Sequence, residues 1–385
     1  MLHPQYLLDF SLALINRTGA YIICHDILRE MPEFFPEVRY WRLLRKEMPT
    51  GLVRRIAGRM MLHEMMLLRD RAILSWPDGQ NAPKRRRVIL DPLYVLRSHL
   101  DVEDIVLCHD IGPVSHPELF GGRTLYQEAY EKIRRVGPGM VFVSDATQQA
   151  FRERYGKQFR FLQTVAQYVR PGVLTGSTEP VPGVEPPFLL TVGALETRKN
   201  HFRVLDAYEQ SGLHTRGISY VFCGSRHHGA EAILHKASRI PGVTALGYVP
   251  EPQLRWLYQN GCGFVLPSLL EGFGLPPIEA AQSGLVPIIS KGGAQEEAIG
   301  GAAVMVDPYS VESIRDAMLR VVDMPQGERQ VLLRRAAHRG SVLSYDRFIA
   351  GWRRVLLRNS GFDNTDGWAA SDPEETSLLP ELSQT

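Results

Sequence analysis

Gly263-Phe-Val-Leu266-Pro-Ser-Leu-Leu-Glu271-Gly-Phe-Gly274-Leu-Pro-Pro277-Ile-Glu279-Ala-Ala-Gln-Ser-Gly284-Leu-Val-Pro-Ile-Ile289 is the stretch whose reading decides the architecture. Gly263–Leu266 is a short apolar run of strand character, and Val286–Ile289 is a second. Between them, Pro277 suits the first turn of a helix and Gly284 its stop. This reading puts Glu279 in the first helical turn, at the positive end of the helix dipole, where backbone N–H groups lack partners. Gly272 and Gly274 make a loop whose backbone can approach a ligand closely. Strand, loop, helix and strand in this order form a parallel unit.

The same alternation continues on both sides. Apolar runs recur at Phe188–Val192, Tyr220–Cys223, Val243–Leu246 and Ala303–Val306. In the segments between them, Phe202, Leu205 and Tyr208 share one helical face, and so do Leu254, Leu257 and Tyr258. Strands alternating with helices predict a parallel sheet covered on both faces, of Rossmann type. The first half repeats the pattern less cleanly. Its candidate strands are Tyr6–Phe10, Arg87–Leu90, Ile105–Cys108 and Met140–Val143, with a helix over 20–31 and a Leu-, Met- and Arg-rich helical stretch over 41–75. The Pro- and Gly-rich segment 175–187 reads as a linker. The expected organisation is a domain over 1–174, the linker 175–187, a second domain over 188–340, a C-terminal helix over 341–360 and a disordered acidic tail over 361–385. Two such α/β domains, facing each other across a cleft, would bind ligands beyond the carboxyl ends of their strands.

Composition narrows the function. The chain has 385 residues, with 44% hydrophobic and 22% charged, and a net charge of +2, which speaks against a nucleic-acid binder. Charge is uneven, however: from Arg39 to Arg97 there are 14 Lys/Arg and 5 Asp/Glu, an excess of 9. Four scattered cysteines without CxxC spacing argue against zinc and against a disulfide framework. The N-terminus lacks a basic, apolar leader, and no stretch of 18 uninterrupted apolar residues is present. A cytoplasmic protein is therefore expected.

Two carboxylates around a glycine loop suit a sugar nucleotide, because carboxylates accept hydrogen bonds from vicinal hydroxyls. From spacing alone, glutamates that merely cap and solvate are an equal reading. An Arg-Lys pair such as Arg198-Lys199 can grip phosphate oxygens, but in a loop it can equally be solvated surface. His109 alone fits a satisfied histidine, and its place after a strand and before Asp110 favours a function.

The run Glu271-Gly-Phe-Gly-Leu-Pro-Pro-Ile-Glu279, with Gly284-Leu-Val-Pro-Ile after it, resembles the E-x7-E signature of family 4 glycosyltransferases of the GT-B fold. Leu190-Thr-Val-Gly193-Ala-Leu-Glu-Thr-Arg198-Lys199-Asn-His201, Cys223-Gly-Ser225, Leu246-Gly-Tyr-Val249, Val106-Leu-Cys-His109-Asp110 and Val141-Phe-Val-Ser144-Asp145 extend the resemblance over about 5–357. It implies an acceptor-side first domain and a nucleotide-sugar-binding second domain, and transfer of a sugar with retention and without metal or cofactor. Lys199 and Arg198, in the loop that opens at Gly193, would neutralise the departing diphosphate. Glu271 and the backbone from Gly272 through Phe273 and Gly274 to Leu275 would contact the donor sugar. Glu279 would bind the ribose, His109 would face the reaction centre, and Gly19 would meet the diphosphate or acceptor. Ala194 departs from the pattern, since many relatives carry a further arginine there, and the turn at Gly19 is poorer in glycine than theirs.

The sequence resembles bacterial members that use GDP-mannose to build surface polysaccharide. The expected partners are that nucleotide sugar and a saccharide or polyprenyl-diphosphate-linked saccharide acceptor. UDP-hexose as donor, and a degenerate binding protein without turnover, are the alternatives. Arg42, Arg45, Lys46, Arg54, Arg55, Arg59 and Lys84–Arg87, interleaved with Leu52, Met60, Met61, Met65, Met66 and Leu68, suggest peripheral contact with an anionic membrane, on the inner face of the plasma membrane; core packing beneath a solvated basic face is the alternative.

Overall fold

The computed structural model describes residues 4–15, 19–68, 85–97, 99–120, 124–227 and 229–359. Within them the chain divides into two compact units, one of residues 4–118, 124–167 and 346–359, the other of residues 119–120 and 168–345. The tail from 361 lies outside the described residues.

The first unit is built on a seven-stranded sheet: Leu7–Asp9 (β1), Glu37–Tyr40 (β2), Leu43–Arg45 (β3), Arg87–Ile89 (β4), Ile105–Cys108 (β5), Gly139–Phe142 (β6) and Phe161–Thr164 (β7). Its order is β3-β2-β1-β4-β5-β6-β7, parallel except for the antiparallel edge pair β2–β3. The inner strands β1, β4, β5 and β6 are buried along their whole length, as parallel strands covered on both faces must be. The salt bridge from Arg87 Nη2 to Asp104 Oδ2, 2.6 Å, is buried between the entrances of β4 and β5, and Asp104 also accepts from the backbone N–H of Arg87 and Asp101.

The stretch over 41–75 is not one helix. Leu43–Arg45 pairs with β2, the described helix spans Gly51–Leu68, and 69–75 lie outside the described residues. Both of these strands are half-exposed at the sheet edge, so charged residues interrupt their apolar pattern. The final helix, Tyr345–Asn359, buries Phe348, Trp352, Val355 and Leu356. From residue 346 on it belongs to this first unit: Tyr6 Oη donates to Leu356 O at 2.7 Å, and Asn359 Nδ2 donates to Glu103 O at 2.9 Å.

The second unit holds a fully parallel six-stranded sheet: Phe188–Val192 (β8), Ser219–Cys223 (β9), Val243–Gly247 (β10), Gly263–Leu266 (β11), Pro287–Ser290 (β12) and Val304–Val306 (β13), in the order β10-β9-β8-β11-β12-β13. Side-chain alternation divides its core. Leu189 and Val265 face one cluster with Leu205, Tyr208 and Met318, whereas Leu190, Phe264 and Leu266 face another with Leu257, Tyr258 and Ala280. Val181 and Val184, in the Pro-rich stretch before β8, are buried in the second cluster. Strand order reverses between β8 and β11, so the loops leaving these two strands diverge and open a crevice at their carboxyl ends.

That crevice depends on a close backbone approach. Gly224, at the end of β9, has φ +156, and a Cβ there would lie 1.8 Å from Gly193 O. Gly224→Ala is expected to destabilise the second unit by about 3 kcal/mol and to lower Tm by roughly 10 °C. Thermal unfolding followed by circular dichroism checks this, and an unchanged Tm would show that the β8 and β9 loops can separate freely.

Candidate active site

The loop after β8 passes through Gly193 and Ala194 into a short 3-10 turn, Thr197–Lys199, and then into the helix His201–Ser211. Asn200 joins the two in the left-handed region (φ 62, ψ 25), which Asn tolerates better than most residues. Its Nδ2 donates to Pro267 O at 3.0 Å and Pro308 O at 2.7 Å, tying this loop to those after β11 and β13. Leu269 N donates to Arg198 O at 2.8 Å, a second tie to the β11 loop.

These ties bring Arg198, Lys199 and Glu271 into one cluster. Lys199 Nζ lies 2.5 Å from Glu271 Oε1, and Arg198 Nη1 lies 3.1 Å from Glu271 Oε2. Ser268 Oγ donates to Glu271 Oε1 at 2.7 Å, and Arg198 Nη2 pairs with Glu196 Oε1 at 2.8 Å. Gly193 packs against the lysine stem, where a Cβ would meet Lys199 Cε at an ordinary 3.7 Å. Burial alone would raise the Glu271 pKa. The ammonium of Lys199 and the guanidinium of Arg198 outweigh it and hold the carboxyl at about 2, so Glu271 is an anion at every working pH. Burial pulls the Lys199 pKa below the usual lysine range, against the Glu271 charge. The cluster thus contains two cations and two carboxylates, and both cations are engaged.

The helix after the glycine loop holds Pro277 in its first turn, but Glu279 lies further along it than expected. It spans Leu275–Gln282, with Gly274 (φ +106) as its N-cap, so Leu275 opens it and Glu279 is its fifth residue, beyond the first turn. Glu279 is therefore held by side chains rather than by free N–H groups: Tyr258 Oη donates to Oε2 at 3.1 Å and Arg170 Nη2 lies 3.4 Å from Oε1. Burial raises the Glu279 pKa despite these partners. Phe273 is buried, and Gly274 sits where a Cβ would press to 3.0 Å on Gln295 Cγ. Beside Glu271 a cavity of about 580 Å³ is lined by Ser268, Ser290, Lys291, Gln295, Asp307 and Tyr309 among others.

His109 and Gly19 belong to the first unit. His109 follows β5, and its Nε2 lies 3.2 Å from Leu90 O. A carbonyl only accepts, so Nε2 carries the proton and Nδ1 is left as an acceptor. Burial depresses its pKa to about 4, against the hydrogen bond to Leu90 O, so it is neutral at pH 7. Gly19 is the first residue of the helix Gly19–Glu30, and Asn16–Thr18 before it lie outside the described residues. Among the described residues no group of three or more His, Cys, Asp or Glu is arranged to hold a metal ion.

Sequence reasoning missed Ser268, Glu196, Tyr258, Arg170 and Asn200. Ser268, three residues before Glu271, carried a local signal, whereas Arg170 lies 109 positions from Glu279 and carried none.

His201 also supports the β8 loop. It is buried, its Nε2 bonds Ala194 O at 3.1 Å, and burial depresses its pKa to about 4. An unfolded histidine titrates near 6.5, so its contribution to stability is complete above pH 6.5 and is lost as pH falls toward 4. At pH 5 this group alone is expected to cost roughly 2 kcal/mol relative to pH 7, and His201→Gln to remove that part of the loss. Urea unfolding at both pH values checks it; equal losses in both proteins would refute the assignment.

Residues 179–339 match the family described as glycosyl transferases group 1. Over 138 residues the chain is 33% identical to O-antigen chain mannosyltransferase B of Escherichia coli, covering 34% of this chain and 36% of that protein. Over 237 residues it is 25% identical to the serotype-specific mannosyltransferase WbdA of Escherichia coli, covering 56% of this chain and 28% of that protein. The match thus spans about a third of these curated relatives. An alpha,alpha-trehalose-phosphate synthase (UDP-forming) from Burkholderia vietnamiensis superposes with a TM-score of 0.57 at 15% identity, covering 82% of this chain and 78% of that one. The fold is that of the GT-B glycosyltransferases. The second unit of this chain carries a glycosyl transferase group 1 domain.

Proposed function

We propose that this chain is a glycosyltransferase that moves a hexose from a nucleoside-diphosphate sugar to a saccharide acceptor in the synthesis of a bacterial surface polysaccharide. The observation that carries this reading is the Arg198–Lys199–Glu271 cluster at the carboxyl ends of β8 and β11 in a group 1 domain. Our reading of the donor is GDP-mannose, supported by the mannosyltransferases among its relatives. The acceptor on this reading is a saccharide, free or linked to polyprenyl diphosphate.

Departure of the diphosphate places negative charge on phosphate oxygens. In this reading Lys199 and Arg198 stabilise that charge and exchange part of their contact with Glu271 for it. Glu271, held ionised, sets the position of both cations and faces the positive charge that builds on the sugar. Its low pKa excludes a role as proton donor. Glu279, with Tyr258 and Arg170 fixing its carboxylate, accepts from the ribose hydroxyls. Neutral His109 accepts a sugar hydroxyl at Nδ1. We assign the reaction as retaining and metal-independent, with the leaving phosphate taking the acceptor proton.

Calorimetry in chelator, with GDP-mannose, GDP, UDP-glucose, UDP-N-acetylglucosamine and UDP, tests the donor. GDP and GDP-mannose are expected to bind at least about tenfold more tightly than the uridine ligands. A preference for UDP overturns the donor and keeps the class. Absence of binding by all of them favours a binding protein without turnover, with which Ala194 in place of the arginine of many relatives is consistent.

A further inference from the structure

The cavity beside Glu271 is walled mostly by residues that the nucleotide sugar does not use. It measures about 580 Å³ and is formed by the segments that follow β11, β12 and β13. Of the groups assigned to the nucleotide sugar, only Glu271 lines it. Arg198, Lys199, Glu279 and the loop Gly272–Leu275 do not. The cavity is therefore still available when those groups hold a nucleotide sugar.

Its wall contains a buried polar group that lacks a partner. Gln295 lines the cavity and is 3% exposed. Its Nε2 donates to Leu266 O at 3.1 Å, and its Oε1 has no hydrogen-bond partner among the described residues. Turning the amide over would set Oε1 against the Leu266 carbonyl, acceptor against acceptor, so its orientation is fixed. A buried amide oxygen left unbonded costs free energy that a ligand hydroxyl recovers.

The same cavity carries an open aromatic ring. Tyr309 lines it and is 64% exposed. The Tyr309 backbone N–H donates to Asp307 Oδ1 at 2.9 Å, and the Arg203 guanidinium stands 5.4 Å from the ring centre. The ring is thus placed from two sides yet stays accessible, and a positioned tyrosine offers contact area at low conformational cost. Charge in the lining favours a neutral ligand. Lys199 and Arg198 already offset Glu271, and the exposed Lys291 and Asp307 are of opposite sign. Neither a phosphate nor a cation finds a strong field of the opposite sign there.

An aromatic face, a buried hydroxyl acceptor and a balanced charge together match a pyranose, which has apolar C–H faces and a rim of hydroxyls. We infer that the cavity is a saccharide subsite, in which neutral pyranose units of the acceptor chain lay a C–H face on Tyr309 and donate a hydroxyl to Gln295 Oε1. The inference deepens the function proposed above and rests on it, since it takes the saccharide acceptor from that reading.

NMR titration of the full chain tests it, with the methyl α-glycosides of mannose, glucose, galactose and N-acetylglucosamine as probes, alone, with GDP and with GDP-mannose. At least one glycoside is expected to bind with a Kd on the order of millimolar, and to bind equally with either nucleotide present. Tyr309→Ala is expected to weaken that binding about fivefold and Tyr309→Phe to preserve it, because the ring and not its hydroxyl makes the contact. Gln295→Leu is expected to weaken it by a similar factor. Tyr309 is exposed, so its two variants test the site without disturbing the core, and unchanged nucleotide affinity in both shows that the unit is intact. Failure of every glycoside to bind, or Tyr309→Ala binding like wild type, would overturn the inference. So would displacement of the glycoside by GDP-mannose but not by GDP, which would assign the cavity to the transferred hexose. The nucleotide titration reports on the parent reading and the glycoside titration on this one, so the two can fail separately.

Discussion

Lys199→Ala is expected to lower kcat by about 100- to 1,000-fold, the range for losing one preorganised group that faces developing charge. Donor affinity should fall as well, though less, because Arg198 remains to hold the diphosphate. Lys199 Nζ is 2.5 Å from Glu271 Oε1, and both side chains are buried, so the substitution also strands part of a buried carboxylate. Arg198 and Ser268 still bond that carboxylate, which limits the loss of stability to about 1–3 kcal/mol. The two effects separate when kcat is measured well below the melting temperature of the variant. A double-mutant cycle with Glu271→Gln gives the decisive reading. If Glu271 acts by setting the position of Lys199, the double variant loses little more than Lys199→Ala alone. Wild-type kcat and donor affinity in Lys199→Ala would remove the cluster from the mechanism.

Glu279→Gln should separate recognition from stability. Burial raises the pKa of Glu279, so the carboxylate at neutral pH is a cost to the folded state that neither Arg170 nor Tyr258 fully offsets. The sign follows from that direction: the acid binds its proton more tightly when folded, so its contribution falls as pH rises above the unfolded carboxylate range. The glutamine variant is therefore expected to melt at or above the wild-type temperature. If the carboxylate accepts the ribose hydroxyls, the same variant binds nucleoside diphosphate about 10- to 150-fold more weakly, since a hydrogen bond to a charged group contributes roughly 1.5–3 kcal/mol. Affinity for inorganic pyrophosphate, which has no ribose, should not change. Equal loss for both ligands would place Glu279 in support of the loop rather than in ribose recognition.

The second unit was more legible in the sequence than the first. Its strands β8 and β11 are almost wholly apolar runs with Gly or Pro directly after them, and both fall at the residues expected. In the first unit, β2 (Glu-Val-Arg-Tyr) and β7 (Phe-Leu-Gln-Thr) are partly exposed and too short and polar to form the apolar runs by which the other strands are read. The site was legible where chemistry is local. Arg198, Lys199 and Glu271 stand in short loops after strands, and the structure draws them together. It was not legible that both cations would be paired with Glu271, because that pairing depends on Asn200 fixing three loops at once. The helix that carries Glu279 starts at Leu275, capped by Gly274, which keeps Pro277 in its first turn but moves the Glu279 carboxylate, expected in that turn, beyond it.

The return of the last helix to the first unit sets an order in time. On the ribosome the N-terminal unit is made first, and domains usually fold as they emerge. Here it lacks Trp352, Val355 and Leu356 until the final described residues are made, and Tyr6 has no carbonyl of residue 356 to bond. The unit of residues 168–345 is essentially contiguous and has all its strands before then. The half synthesised second is thus the half that can finish first, and a nascent chain halted before residue 346 would present a completed group 1 domain behind an N-terminal sheet that still lacks its last helix.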